Sequence, residues 1–230
     1  MENKLNVILD LDNTIINALS SDEKLKVPLK TGLIYRDWVP YYRVYARPGL
    51  EEFLDYLFDN FNVAVFTAAD KDYAIWVVNN FILTKPNRRI DFFFYRYHLD
   101  LSNKHFGGVK NLRILWDLFS VYNFFPSNTV IIDDLDYVYK TNPYNTIRIP
   151  AFSVVGDDGY FNKDTYIEVG NTMWLDLLFE RIQQLLDMDE TEYIKILDET
   201  NLIAKENIKH FENVYYNTSI FGRIKELGWL

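Results

Sequence analysis

The sequence predicts an α/β fold in which a parallel sheet carries helices on both faces, and three observations lead there. Leu5 to Leu9, Asn62 to Phe66 and Thr129 to Ile132 are short apolar runs with β-branched members and no polar face, as expected of strands buried on both sides. Segments with apolar residues at helical spacing separate them, such as Leu50, Phe53, Leu54, Leu57 and Phe58. Each strand run also ends in residues suited to chemistry: Asp10 and Asp12, then Thr67, then Asp133 and Asp134. Open α/β sheets bind ligands at the carboxyl ends of their strands.

In chain order, Asp10-Leu11-Asp12-Asn13-Thr14 closes the first strand. Side chains alternate along a strand, so Asp10 and Asp12 point the same way and gather two negative charges. Such a pair calls for a cation or a shared proton. Mg²⁺ suits it, because it binds one or two carboxylates, keeps waters and leaves positions for phosphate. A calcium EF-hand loop starting at Asp10 is excluded, since Ile15 and Ser21 stand where Gly and Glu are required.

Residues 26 to 46 read as an insertion of two or three short antiparallel strands, with Tyr35, Trp38, Tyr41 and Tyr42 among its aromatics. Arg47-Pro48-Gly49 opens the first helix, with Pro48 near its first position. The run from Asn62 delivers Thr67-Ala68-Ala69 to a helix over about 71 to 83, where small residues let backbone N–H groups approach an anion. Asp91 to Tyr97 reads as a strand, and Lys110 precedes a helix marked by Leu112, Leu115, Trp116 and Phe119. A turn of helix near Tyr137 and a short strand from Thr146 to Ile149 complete the sheet. Leu175, Leu178, Phe179, Ile182, Leu185 and Leu186 mark an amphipathic helix, and residues 189 to 230 form a helical C-terminal extension.

Composition narrows the chemistry. With 230 residues, 49% of them hydrophobic and 25% charged, the chain reads as globular, with no transmembrane stretch and no signal peptide, and hence intracellular. It has no cysteine, which removes thiolate zinc sites and cysteine nucleophiles. His98, His105 and His210 are too scattered for a metal cage. A net charge of −9 argues against a nucleic-acid partner, which Lys and Arg must hold. Lys85 to Arg89, the one basic cluster, reads as a solvated turn.

Taken together, Asp10-Leu11-Asp12-Asn13-Thr14, Arg47-Pro48-Gly49 with Glu52-Phe53-Leu54, Phe66-Thr67-Ala68-Ala69, Val109-Lys110-Asn111-Leu112 and Ile131-Ile132-Asp133-Asp134 resemble the ordered motifs of the haloacid dehalogenase superfamily. More narrowly they resemble the FCP/SCP-type RNA polymerase II C-terminal-domain phosphatases, the NLI-interacting-factor family. The resemblance spans about residues 5 to 187 and implies a Rossmann-like phosphatase domain, the FCP1 homology domain, over 1 to 188.

It also implies roles. Asp10 is the expected nucleophile and Asp12 the acid/base. Thr67 bonds the phosphoryl group and Lys110 neutralises charge. Mg²⁺ is expected on the Asp10 and Asp134 carboxylates and the Asp12 main-chain carbonyl, with Asp133 orienting the cluster and Thr14 supporting it. Arg96 is the match for the family's phosphate-contacting arginine, at a spacing that needs a short insertion. Small members carry Asp-Asn-Ser-Pro where this chain has Asp133-Asp134-Leu135-Asp136, and Asn111 replaces an Asp. The implied activity is hydrolysis of phosphoserine or phosphothreonine in a protein or peptide, gripped by the insertion. Two alternatives stay open: a non-catalytic peptide-binding protein on this fold, and a phosphatase for nucleotides or nucleic-acid ends.

Overall fold

The computed structural model describes residues 5–28, 31–156 and 159–162. The helix expected around Leu175 to Leu186 and the extension over 189 to 230 lie outside the described residues. The first strand, β1, is Asn6–Leu9, and all four of its residues are buried. It pairs in parallel on one side with β5 (Asn62–Phe66) and on the other with β7 (Thr129–Asp133). Two short strands, β6 (Phe93–Phe94) and β8 (Thr146–Arg148), complete a five-stranded sheet of order β6-β5-β1-β7-β8.

Alternation along these strands builds two separate cores. Val7 and Leu9 pack with Leu54 and Leu57 of helix α1 (Leu50–Asn60) and Val77 of α2 (Lys71–Val77). Ile8 turns the other way, against Leu99 of α3 (Arg96–Phe106), Ile114, Leu115 and Val138 of α4 (Asp136–Thr141). Both faces of the sheet are therefore covered, and no polar face was needed in the sequence. After β1 the chain builds outward to β5 and β6, then crosses back to β7. The topological switch point thus falls between β1 and β7, where such folds place ligands.

A second sheet rises directly from β1, with β2 (Ile16–Ser20), β3 (Tyr35–Trp38) and β4 (Tyr42–Ala46) in the antiparallel order β2-β4-β3. The insertion therefore begins ten residues before the expected boundary at 26. No strand was expected over Ile16–Ser20; Asn13, at φ 59, turns the chain so that its N–H reaches Ile16 O at 2.7 Å. Asn tolerates that left-handed conformation.

Two other expectations need correction. Only Phe93–Phe94 of the segment from Asp91 to Tyr97 is strand, and Arg96 already starts α3, capped by Tyr95 and His98. The helix after Lys110 is a five-residue π-helical turn, Ile114–Leu118, and α2 likewise continues into a π-helical turn over Val78–Ile82.

The basic cluster is also more than a solvated turn. The Arg88 side chain is fully buried and pairs with Glu51 at 2.9 Å and Asp55 at 2.7 Å on α1, and Lys85 joins Asp55 at 2.6 Å. Burial acts to raise Glu51, but Arg88 and Lys85 outweigh it and hold it below the ordinary range; Lys85 and then Arg88 lower Asp55. Carboxylates lowered on folding stabilise the fold above their unfolded values, and that stability is lost as pH falls through their folded values. Urea midpoints should therefore fall with acidification below the ordinary carboxylate range, and less steeply in Arg88→Met. Parallel pH curves for the two proteins would remove this network from the acid response.

Candidate active site

The carboxyl end of β1 places Asp10 level with the last residue of β7, because Leu9 is in register with Ile132 and the Asp10 N–H bonds Ile132 O at 3.1 Å. Carboxylate oxygens of Asp10, Asp133 and Asp134 come within 4.8 Å of one another. Into this cluster comes Lys110, whose Nζ donates to Asp10 Oδ1 at 2.5 Å and to Asp133 Oδ2 at 2.6 Å. Lys110, Asp10 and Asp133 are all buried. Burial alone would favour the neutral amine, yet Asp10 and Asp133 together outweigh it and raise the Lys110 pKa. Removing one partner from such a buried pair costs on the order of 3–5 kcal/mol, because the remaining charge is left uncompensated.

Thr14 bridges the carboxylates with one hydroxyl, 3.0 Å from Asp10 Oδ2 and 3.3 Å from Asp134 Oδ1. A hydroxyl has a single proton, so its two acceptors share it. Asp133 also accepts from Leu135 N at 2.9 Å through Oδ1, which fixes its orientation. Burial first, and then Asp10, push Asp134 up to about 6 and also raise Asp133. Three crowded carboxylate oxygen donors suit a hard divalent cation, which relieves their repulsion, and the donor set fits Mg²⁺.

Asp12 stands apart from this group. Its Oδ1 accepts a bond from Tyr73 OH on α2 at 2.8 Å. Burial, followed by the charge of Asp10, raises Asp12 to about 6, and the Tyr73 bond partly opposes them. The two motif carboxylates are thereby divided: one meets a cation, the other a phenol. Tyr73 itself packs against Trp38 at 5.0 Å between ring centres, and Trp38 meets Tyr41 at 5.2 Å and Tyr42 at 6.1 Å. The aromatic insertion therefore stands one side chain away from Asp12, with Tyr41 and Tyr42 exposed.

Thr67 follows β5 and is buried, its Oγ1 accepting the Ala69 N–H at 3.1 Å. This leaves its own proton to donate. Arg96 meets Asp70 at 2.8 Å on the surface, and its backbone N–H bonds Ala69 O. It lies beside the Thr67 loop, and its ion pair is with Asp70, not with the acidic cluster.

The sequence also held groups whose part in the site was not read. Arg47, taken only as a helix start, is buried and donates to Thr14 O at 2.8 Å and Pro150 O at 3.1 Å, tying the first motif to the chain after β8. Lys110 has φ 48, a left-handed conformation that costs a non-glycine residue roughly 1–2 kcal/mol. Asn142, directly after α4, holds that turn: its Nδ2 donates to Lys110 O at 3.0 Å and its Oδ1 accepts Leu112 N at 2.9 Å. Tyr73 carried no signal beyond helical spacing, and Asn142 carried only that of a helix end.

Residues 5–168 match the family model described as NLI interacting factor-like phosphatase. CTD phosphatase-like protein 355R of Invertebrate iridescent virus 3 is 39% identical over 165 residues, covering 66% of this chain and 87% of that protein. Its namesake from Invertebrate iridescent virus 6 is 33% identical over 167 residues, covering 69% and 92%. Among solved structures, the fission yeast RNA polymerase II CTD phosphatase Fcp1 aligns with 95% of this chain and 68% of its own at 19% identity, with a TM-score of 0.48.

Proposed function

The chain belongs to the NLI interacting factor-like phosphatase family, and from that premise we propose that it is a Mg²⁺-dependent phosphomonoesterase acting on phosphoserine or phosphothreonine in proteins. The observation that carries this reading is the buried Lys110 amine between Asp10 and Asp133 at the topological switch point, beside a separate, phenol-bound Asp12. Charge neutralisation and positioning are what phosphoryl transfer asks of a protein.

In the proposed mechanism Asp10 attacks phosphorus, and the bond from phosphorus to the seryl or threonyl oxygen breaks. The Asp12 carboxyl gives its proton to that leaving oxygen. Asp12, now ionised, takes a proton from water as the water attacks the acyl phosphate on Asp10, which frees phosphate and restores both groups. Thr67 donates to the transferring phosphoryl oxygens, and Lys110 offsets their charge. The Asp10 and Asp134 carboxylates and the Asp12 main-chain carbonyl would hold Mg²⁺, which when bound supplies charge neutralisation for the phosphoryl oxygens. Asp133 orients Lys110.

Substrate class follows from the surroundings of Asp12. Trp38, Tyr41 and Tyr42 offer apolar faces to a peptide, whereas the net charge of −9 repels a polyanion. Among the described residues no helix is long and apolar enough to cross a membrane. A phosphoserine peptide with apolar residues beside the phosphate should exceed a 5′- or 3′-phosphorylated oligonucleotide in kcat/KM by on the order of tenfold or more. Comparable values on the oligonucleotide would replace the protein substrate with a nucleic-acid end. Peptide binding without turnover would favour the non-catalytic alternative.

A further inference from the structure

We propose that Asn142 is the positioning residue that holds the Lys110 amine between Asp10 and Asp133, an inference that rests on the role given to Lys110 above. The segment before Lys110 is shaped for an abrupt reversal. Gly107, Gly108 and Lys110 have φ of 69, 74 and 48, so three of four consecutive residues have positive φ. Glycine takes that conformation freely, but lysine does not. A Lys110 backbone relaxing to the common right-handed region would swing its side chain out of the acidic cluster.

Contacts from α4 and the residue after it hold this turn. Thr141 Oγ1 accepts the Val109 N–H at 3.0 Å, and a side chain at Gly108 would collide with Thr141 at 2.6 Å. Asn142 clasps the chain directly after Lys110, donating to the Lys110 carbonyl and accepting the N–H of Leu112, with Asn111 between the two bonds. One planar amide thus fixes the chain on the C-terminal side of Lys110, while Thr141 holds Val109 on the other side. Its backbone N–H is bonded to Val138 O at 3.0 Å, so the clamp is fixed to α4. Because α4 follows β7 after a single loop residue beyond Asp134, the acceptor Asp133 and the clamp on the donor Lys110 belong to one continuous β7–α4 unit. The unit sets the distance from amine to carboxylate from both sides. Asn142 touches neither the cluster nor the proposed metal ligands in any of these bonds.

The test is a double-mutant cycle in the full chain with an aryl phosphate and Mg²⁺: wild type, Asn142→Ser, Lys110→Met and the pair, each with its melting temperature. Serine can make one of the two bonds but not both. Asn142→Ser should fold and lose about 10- to 100-fold in kcat, the penalty of a displaced catalytic group. In the Lys110→Met background the same change should cost less than about threefold, since no amine remains to be placed. Equal losses in both backgrounds, or a folded Asn142→Ser with wild-type kcat, would overturn the positioning role. Failure of Asn142→Ser to fold while Lys110→Met folds would also overturn it, assigning Asn142 to the fold itself. Wild-type activity in Lys110→Met strikes instead at the proposed function of the lysine, and the clamp falls with it.

Discussion

Asp10→Asn is expected to abolish turnover, by at least about 10⁴-fold, and to leave no phosphoenzyme, because the amide cannot form the covalent bond to phosphorus. Asp12→Asn should behave differently. It keeps the nucleophile and the main-chain carbonyl, and its amide still accepts from Tyr73, but it neither protonates a leaving group nor activates water. With a phosphoserine peptide the loss should be about 10²- to 10⁴-fold, the usual worth of general acid–base catalysis. With an aryl phosphate, whose leaving group needs little protonation, Asp12→Asn should form acyl phosphate and hydrolyse it slowly. Acid-quenched protein should then carry an added phosphoryl group on the peptide containing Asp10. An adduct on another peptide, or normal steady-state turnover by Asp12→Asn, would reverse or discard these roles.

Removal of divalent metal should produce the other large effect. Excess EDTA is expected to stop turnover, and Mg²⁺ to restore it. A second readout does not depend on activity: Mg²⁺ at a hundredfold excess over Kd stabilises the fold by about 2.7 kcal/mol, or roughly 5 to 10 °C in Tm for a domain of this size. Asp134→Asn should lose most of that shift. The pH dependence has a definite sign. Burial, followed by the charge of Asp10, raises Asp12 and Asp134 to about 6 in the metal-free protein. The folded state therefore holds protons there that the unfolded chain has released, so these groups cost stability as pH rises through about 6. A bound cation takes over from those protons, and its Tm gain should be larger at pH 7 than at pH 5. A gain that is flat with pH, or full activity in EDTA, would remove the metal from the acidic cluster.

The sheet and the placement of its carboxyl-end residues could be read from the sequence because burial on both faces leaves a plain signature in β1, β5 and β7. Asp10, Lys110, Asp133 and Asp134, which the motifs singled out, meet in space. Helix α3 was hidden because it buries few residues, Leu99 and Ser102 among them, so it shows no apolar stripe. Its opening Tyr95-Arg96-Tyr97 also has the aromatic content of a strand. The start of β2 was masked by its continuity with the first motif, where a left-handed asparagine separates two similar apolar runs. Tyr73 acts through a hydrogen bond to a residue 61 positions away and Asn142 through bonds to residues 32 and 30 positions away, and no local pattern encodes such bonds.

The crossing from β6 back to β7 also governs when the site comes into being. Asp10 emerges near the start of the chain, but the amine that partners it lies 100 residues later, and the Thr14 hydroxyl reaches Asp134 across 120. During synthesis β1, β5 and β6 can assemble early, with the edge of β1 open where β7 will add. Only when β7 and α4 leave the ribosome is that edge filled, and the acidic loop then gains its lysine, its remaining carboxylates and the clamp together. Contacts of such long sequence separation form late and slowly. A nascent chain that ends before residue 133 therefore exposes an unpaired central strand, and chaperones have most to do in that interval.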